Sequence, residues 1–176
     1  MSKVVYLGFH KTGTTSIGRL FKSMNLRCSS FWNPHGWTGE ESVREALKYA
    51  EKYDAFEDNP WPVIYKQFDK KFKNSKFIFY ERNVNDWYLS NLNHFKKQST
   101  PMREYIYGKG YPHGNEKIYK EVYLQHSKDI LNYFENRPND ILRITDFSDE
   151  SAQKIGKFLD YPSYDELTMP YLNKKR

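Results

Sequence analysis

A short apolar run, Val4-Val5-Tyr6-Leu7, leads into Gly8-Phe9-His10-Lys11-Thr12-Gly13 and then Thr14-Thr15-Ser16-Ile17. Glycines at both ends of a loop let the backbone approach a ligand closely, and a helix beginning at Thr14 would point its N-terminal amides at the same spot. A strand, loop and helix in that order form a cradle for an anion, phosphate above all. The spacing Gly8-x4-Gly13 fits a nucleotide-binding P-loop, yet Thr14 stands where a nucleotide triphosphatase needs lysine. The lysine sits within the loop instead, as Lys11. A second apolar run, 77–80, closes on Glu81-Arg82, where a triphosphatase would carry an aspartate for magnesium. An arginine at that place suits an anion and works against a divalent cation.

These groups need a scaffold, and the pattern along the chain supplies one. Residues 3–8 and 76–81 read as buried strands, 53–56 and 140–144 as shorter ones. Helical stretches are expected from Thr14 to about Met24, from Glu40 to Lys52, from Pro62 to about Phe72, and from Val84 to Lys97. Two more run from Asn115 to about Phe134 and from Ser151 to Leu159. Residues 25–37 read as a loop, and 99–113, with two prolines and two glycines, as a loop or lid. Alternating strands and helices predict an α/β, three-layer, P-loop-like fold. Its central sheet should be mainly parallel, with about four to five strands. In such sheets ligands gather at the carboxyl ends of strands, where Gly8, Phe56 and Arg82 all fall.

Bulk properties narrow the class. At 176 residues the chain is read as a single domain, 1–176. No stretch reaches the roughly 20 apolar residues of a membrane span, and no secretory signal opens the sequence. One cysteine, Cys28, rules out an internal disulfide framework and fits a cytoplasmic setting. The net charge of +6 is compatible with a polyanion, although the lysines are dispersed except for Lys174-Lys175-Arg176 at the end. Neither a nucleic acid nor a membrane is expected as partner. The histidines and the cysteine show no metal-ligand spacing.

The stretch Phe9-His10-Lys11-Thr12-Gly13-Thr14-Thr15-Ser16 resembles the 5'-phosphosulfate loop of sulfotransferases that use 3'-phosphoadenosine 5'-phosphosulfate (PAPS). Arg82 at a strand end, with Ser90 eight positions later on the next helix, is similar to that family's 3'-phosphate site. The resemblance implies a metal-independent transfer of a sulfuryl group to a hydroxyl or amine acceptor, a sugar or other small molecule. Adenosine 3',5'-bisphosphate would be the product. Lys11 would stabilise charge on the bridging oxygen, Thr12 to Ser16 would hold the phosphosulfate, Arg82 and Ser90 would hold the 3'-phosphate, and Lys174 would close over it.

An acceptor must lose its proton, so a base is expected nearby. Ala55-Phe56-Glu57-Asp58 resembles the Phe-Glu element of glycan sulfotransferases, which makes Glu57 the first choice and Asp58 the second. His10 is read as a loop-packing residue. His126 is read as a satisfied core residue, with a place in the acceptor pocket as the alternative, and His94 lies on a predicted helix. A short lid over 99–113 and the aromatics Phe31, Trp32 and Trp37 suggest an acceptor that stacks or is amphipathic, such as a sugar or phenol. Two other readings compete: a P-loop nucleotide or small-molecule kinase, and a basic polyanion-binding protein without catalysis. The oligomeric state and the acceptor's identity are not written in the sequence.

Overall fold

A computed structural model describes residues 2–33 and 36–170. Five parallel strands form its sheet: β1 (Val4–Tyr6), β2 (Cys28–Ser29), β3 (Ala55–Phe56), β4 (Lys76–Tyr80) and β5 (Ile141–Ile144), in the order β2-β3-β1-β4-β5. Register is set by Val4 opposite Ala55 and Lys76, and by Phe77 opposite Ile141. Successive side chains of a strand point to opposite faces. Val5, Phe56, Phe77 and Phe79 accordingly face one core with Trp61, Phe68, Ile130 and Phe134. Val4, Tyr6, Ala55 and Ile78 face the other with Leu20, Phe21 and Ile155. Both faces of the sheet are covered, as the continuous apolar runs required.

Seven α-helices flank this sheet among the described residues: α1 (Thr14–Ser23), α2 (Glu40–Tyr49), α3 (Tyr65–Lys71), α4 (Val84–Phe95), α5 (Pro101–Tyr107), α6 (Glu116–Tyr133) and α7 (Asp149–Phe158). None of them is long and apolar enough to cross a membrane. A third cluster, Phe9, Trp87, Tyr88, Tyr107, Tyr119 and Tyr123, ties the loop after β1 to α4, α5 and α6.

Three expectations need correction. The stretch 99–113 is not an open loop, because α5 occupies 101–107. Thr100 caps it by accepting a hydrogen bond from the Arg103 amide, Pro101 stands in the first turn, and Gly108 ends it with φ of 64°. Proline at a helix start and glycine just past its end are boundary signals, and counted together they looked like a loop. The stretch 25–37 holds strand β2, which pairs with β3 through Cys28–Ala55 and Ser29–Phe56. Two residues are too few to show a period. The helix expected from Pro62 also starts later, at Tyr65.

Candidate active site

Side by side in the sheet, β3, β1 and β4 all end at one edge, and the three loops that follow them carry the chemistry. After β1 the chain turns at Lys11 (φ 66°) and Gly13 (φ 84°) before entering α1. A Cβ at Gly13 would lie 2.3 Å from the Phe147 ring, so both backbone sign and space call for glycine there. The loop is held through its carbonyl oxygens. Phe9 accepts from the Thr12 hydroxyl at 2.5 Å, His10 from Trp87 Nε1 at 3.0 Å, Lys11 from Arg82 Nη1 at 2.7 Å and Thr12 from the Tyr6 hydroxyl at 2.5 Å. Those carbonyls are thereby committed to protein partners. Helix α1 begins with no side-chain cap and no acid in its first turn. Its end therefore presents amide donors and positive potential with no built-in competitor.

A cavity of about 490 Å3 opens over this end, within the range of small-ligand sites. Lys11, Gly13, Thr14, Thr15, Ser16, Asp58, Arg82 and Ser90 line it together. A second cavity of about 590 Å3 shares Lys11, Arg82, Ser90 and His94 and adds Asp86, Leu89 and Asn93. Thr12 is buried beneath the loop, where its hydroxyl braces the turn. Of the residues singled out from the sequence, the loop, Arg82, Ser90 and Asp58 are brought to one place. Lys174 lies outside the described residues.

The two carboxylates of 57–58 part company. Asp58, with φ of 63°, enters the cavity wall, and its Oδ1 accepts from the Asn59 amide at 2.7 Å. Burial raises its pKa, while the Asn59 bond and the nearby Lys11 charge pull the other way. Glu57 does not line either cavity. It lies under α1, where a Cβ on Gly18 would sit 2.8 Å from its Oε1, and its Oε2 has no hydrogen-bond partner. Burial is the main reason that its pKa rises to about 7.

That shift has a consequence for stability. A carboxyl whose folded pKa exceeds its unfolded value contributes stability that is full below the unfolded value and is lost as pH climbs through about 7. Glutamine carries no such charge. The melting temperature of Glu57→Gln relative to the parent should therefore rise between pH 5 and pH 8, by at least about 3 °C for a protein of this size. A difference that stays flat over that interval, in melts followed by circular dichroism, would refute the buried-acid assignment.

Histidines divide by environment. His10 is enclosed, with Nδ1 3.0 Å from Asn59 Nδ2 and Nε2 3.1 Å from the Tyr107 hydroxyl. Burial, with the Arg103 and Lys11 charges, pushes its pKa down to about 3, which favours the neutral ring, and the ring also borders the first cavity. His126 bonds the Leu7 carbonyl at 3.0 Å and stacks on Phe9 at 3.9 Å, a core position outside both cavities. His94 lines both cavities, and sequence reasoning gave it no role. A signal was present: Asp86, Ser90 and His94 are four apart and share one helix face. Phe95, Thr100, Met102 and Arg103 of the cavity wall were missed too. Of the loop aromatics, Phe31 lines the cavity, whereas Trp32 packs on Tyr49 and Trp37 on Tyr105.

Residues 3–109 match the family model described as a sulfotransferase domain. Among solved structures, a sulfotransferase from Alicyclobacillus acidocaldarius is similar over 99% of this chain and 87% of its own, at 15% identity and a TM-score of 0.61. The sulfotransferase domain from the curacin biosynthetic pathway aligns over 92% of this chain and 74% of its own, at 14% identity and a TM-score of 0.58. Mouse sulfotransferase SULT7A1, solved in complex with PAP, aligns over 91% of this chain and 58% of its own, at 17% identity and a TM-score of 0.53. No curated protein sequence matches the chain.

Proposed function

The chain belongs to the sulfotransferase domain family, and from that premise we propose that it is a single-domain, cytoplasmic enzyme moving a sulfuryl group from PAPS to a hydroxyl or amine acceptor without a metal ion. One observation carries the proposal. The uncapped start of α1, Lys11, Arg82, Ser90 and Asp58 converge on one cavity at the ends of three adjacent strands. The family's use of a nucleotide donor is supported by the relative solved with PAP.

The donor supplies a sulfuryl group attached to a phosphate leaving group. The first-turn amides of α1 and the hydroxyls of Thr14, Thr15 and Ser16 would hold its phosphosulfate end. Lys11 would face the charge that develops on the bridging oxygen, where a fixed cation acts most strongly in a site shielded from water. Arg82 and Ser90 would hold the 3'-phosphate by charge-assisted and simple hydrogen bonds. Asp58, rather than Glu57, would take the acceptor's proton. It alone of the two reaches the cavity, and burial moves its pKa toward the working range of a base. The lone Cys28, its thiol pKa pushed up to about 12 mainly by burial, is inert in this scheme.

Ligand binding separates this reading from a kinase. Adenosine 3',5'-bisphosphate at about 100 times its dissociation constant should stabilise the protein by about 2.7 kcal/mol. In a thermal-shift assay that corresponds to roughly 5–10 °C. ATP with Mg2+ at the same concentration should give under about 2 °C. A larger shift with ATP and Mg2+ would overturn the donor assignment and favour phosphoryl transfer.

A further inference from the structure

The cavity also has a stretch of wall that does not come from the loop after β1. It is built from Phe95 at the end of α4 and from Thr100, Met102 and Arg103 at the start of α5, with Phe31 at the rim. Arg103 is only 6% exposed. Its Nε donates to the Gly110 carbonyl at 2.8 Å, its Nη2 donates to the Gln98 carbonyl, and its guanidinium carbon lies 4.2 Å from the centre of the Phe95 ring. These are neutral partners. Among the described residues, no carboxylate forms an ion pair with Arg103. A buried cation normally has an anion beside it, because desolvation of an uncompensated charge is costly.

Charge within the cavity is lopsided as well. Lys11, Arg82 and Arg103 stand against Asp58 alone. With PAPS held at its two ends by Lys11 and Arg82, Arg103 is left over. His94 cannot serve as the missing counter-charge, because an imidazole is neutral or cationic and never an anion. Burial lowers its pKa first, and the Lys11 and Arg103 charges lower it further. The remaining surface, from Phe31 and Phe95, is apolar and fits a ring or hydrocarbon frame, while Met102, 1% exposed, packs into the core behind the wall's lining.

Resting on the sulfotransferase reading, we propose that the acceptor is itself an anion: a hydroxyl compound on an aromatic or apolar frame whose carboxylate, or equivalent negative group, pairs with Arg103. The frame lies against Phe31 and Phe95, and the hydroxyl points toward Asp58 and Lys11. A guanidinium with its plane already fixed on Phe95 and two carbonyls loses little freedom on gripping a planar carboxylate.

Arg103 also braces residues 98–110, and a brace alone would not tell a carboxylate from its amide. The test therefore uses a matched pair of probes, 4-hydroxyphenylacetate and the neutral 4-hydroxyphenylacetamide. Binding is measured by calorimetry on the full chain, with and without adenosine 3',5'-bisphosphate. The carboxylate should bind at least 10-fold more tightly than the amide. Arg103→Gln should shrink the gap to under about 3-fold, while Arg103→Lys, which keeps the charge, should retain part of it. Equal binding of the two probes by the parent protein, or no binding of either, would overturn the proposal, and both of these results come from the parent protein, whether or not the variants fold. A protein that discriminates the probes yet ignores the bisphosphate would remove the donor reading and leave the anion site standing. The reverse pattern would remove only the anion site.

Discussion

Lys11→Ala should lower the turnover of sulfuryl transfer by about 10²- to 10³-fold, the usual effect of deleting one fixed donor at a developing charge. The fold should survive the change. The anchor at this position is the Lys11 carbonyl, which accepts from Arg82, and alanine keeps that carbonyl. The substitution thus removes a charge from the cavity and leaves the turn latched. Binding of adenosine 3',5'-bisphosphate, which lacks the group in flight, should weaken by less than about 10-fold, because Arg82, Ser90 and the α1 amides persist. Initial rates with radiolabelled donor across an acceptor panel, set beside calorimetry with the bisphosphate, measure both quantities. Turnover within 10-fold of the parent would show that Lys11 binds without assisting the chemistry.

The second large effect concerns the base. Asp58→Asn should reduce turnover by about 10²- to 10⁴-fold and should abolish the acidic limb of the pH–rate profile, since general-base assistance is lost. Glu57→Gln, by contrast, should stay within a few-fold of the parent. The two substitutions therefore discriminate between neighbouring carboxylates. If Glu57→Gln proves inactive and Asp58→Asn does not, the base is the residue that the sequence pattern favoured, and the resting geometry hides it.

Why the loop's geometry is legible in the sequence and the placing of the two carboxylates is not has a physical answer. The cradle depends on backbone: glycines at fixed spacing, an apolar run before them and a helix after. All three are local, so Gly8 to Ser16 could be read directly, and Arg82 at the end of the most apolar strand could be added. The direction of a side chain in a turn is not local. At 57–58 a single positive φ at Asp58 sends one carboxylate into the cavity, while Glu57 goes beneath α1 into space left by Gly18. Nothing in the letters Glu-Asp says which is which.

Distance in the chain obscured the rest. Helix α5 was hidden because its boundary residues resemble those of a loop. With it went Met102 and Arg103, whose place in the wall depends on a helix start more than 40 residues beyond Asp58. Strand β2 is short enough that only its partner β3 defines it. The two cores, in contrast, followed directly from alternation in β1 and β4, where every residue is apolar or at a strand end.

The fixed carbonyls of Phe9, His10, Lys11 and Thr12 carry one more implication, for the end of the catalytic cycle. A receptor already stiff in its occupied shape has little disorder to surrender when an anion arrives, and gains little by letting it go. If the donor is the proposed PAPS, the spent nucleotide, still bearing both phosphates, would keep nearly every grip that the fresh one had. Under the proposed donor assignment, that by-product should compete closely with fresh donor for the site, and turnover should fall as it accumulates.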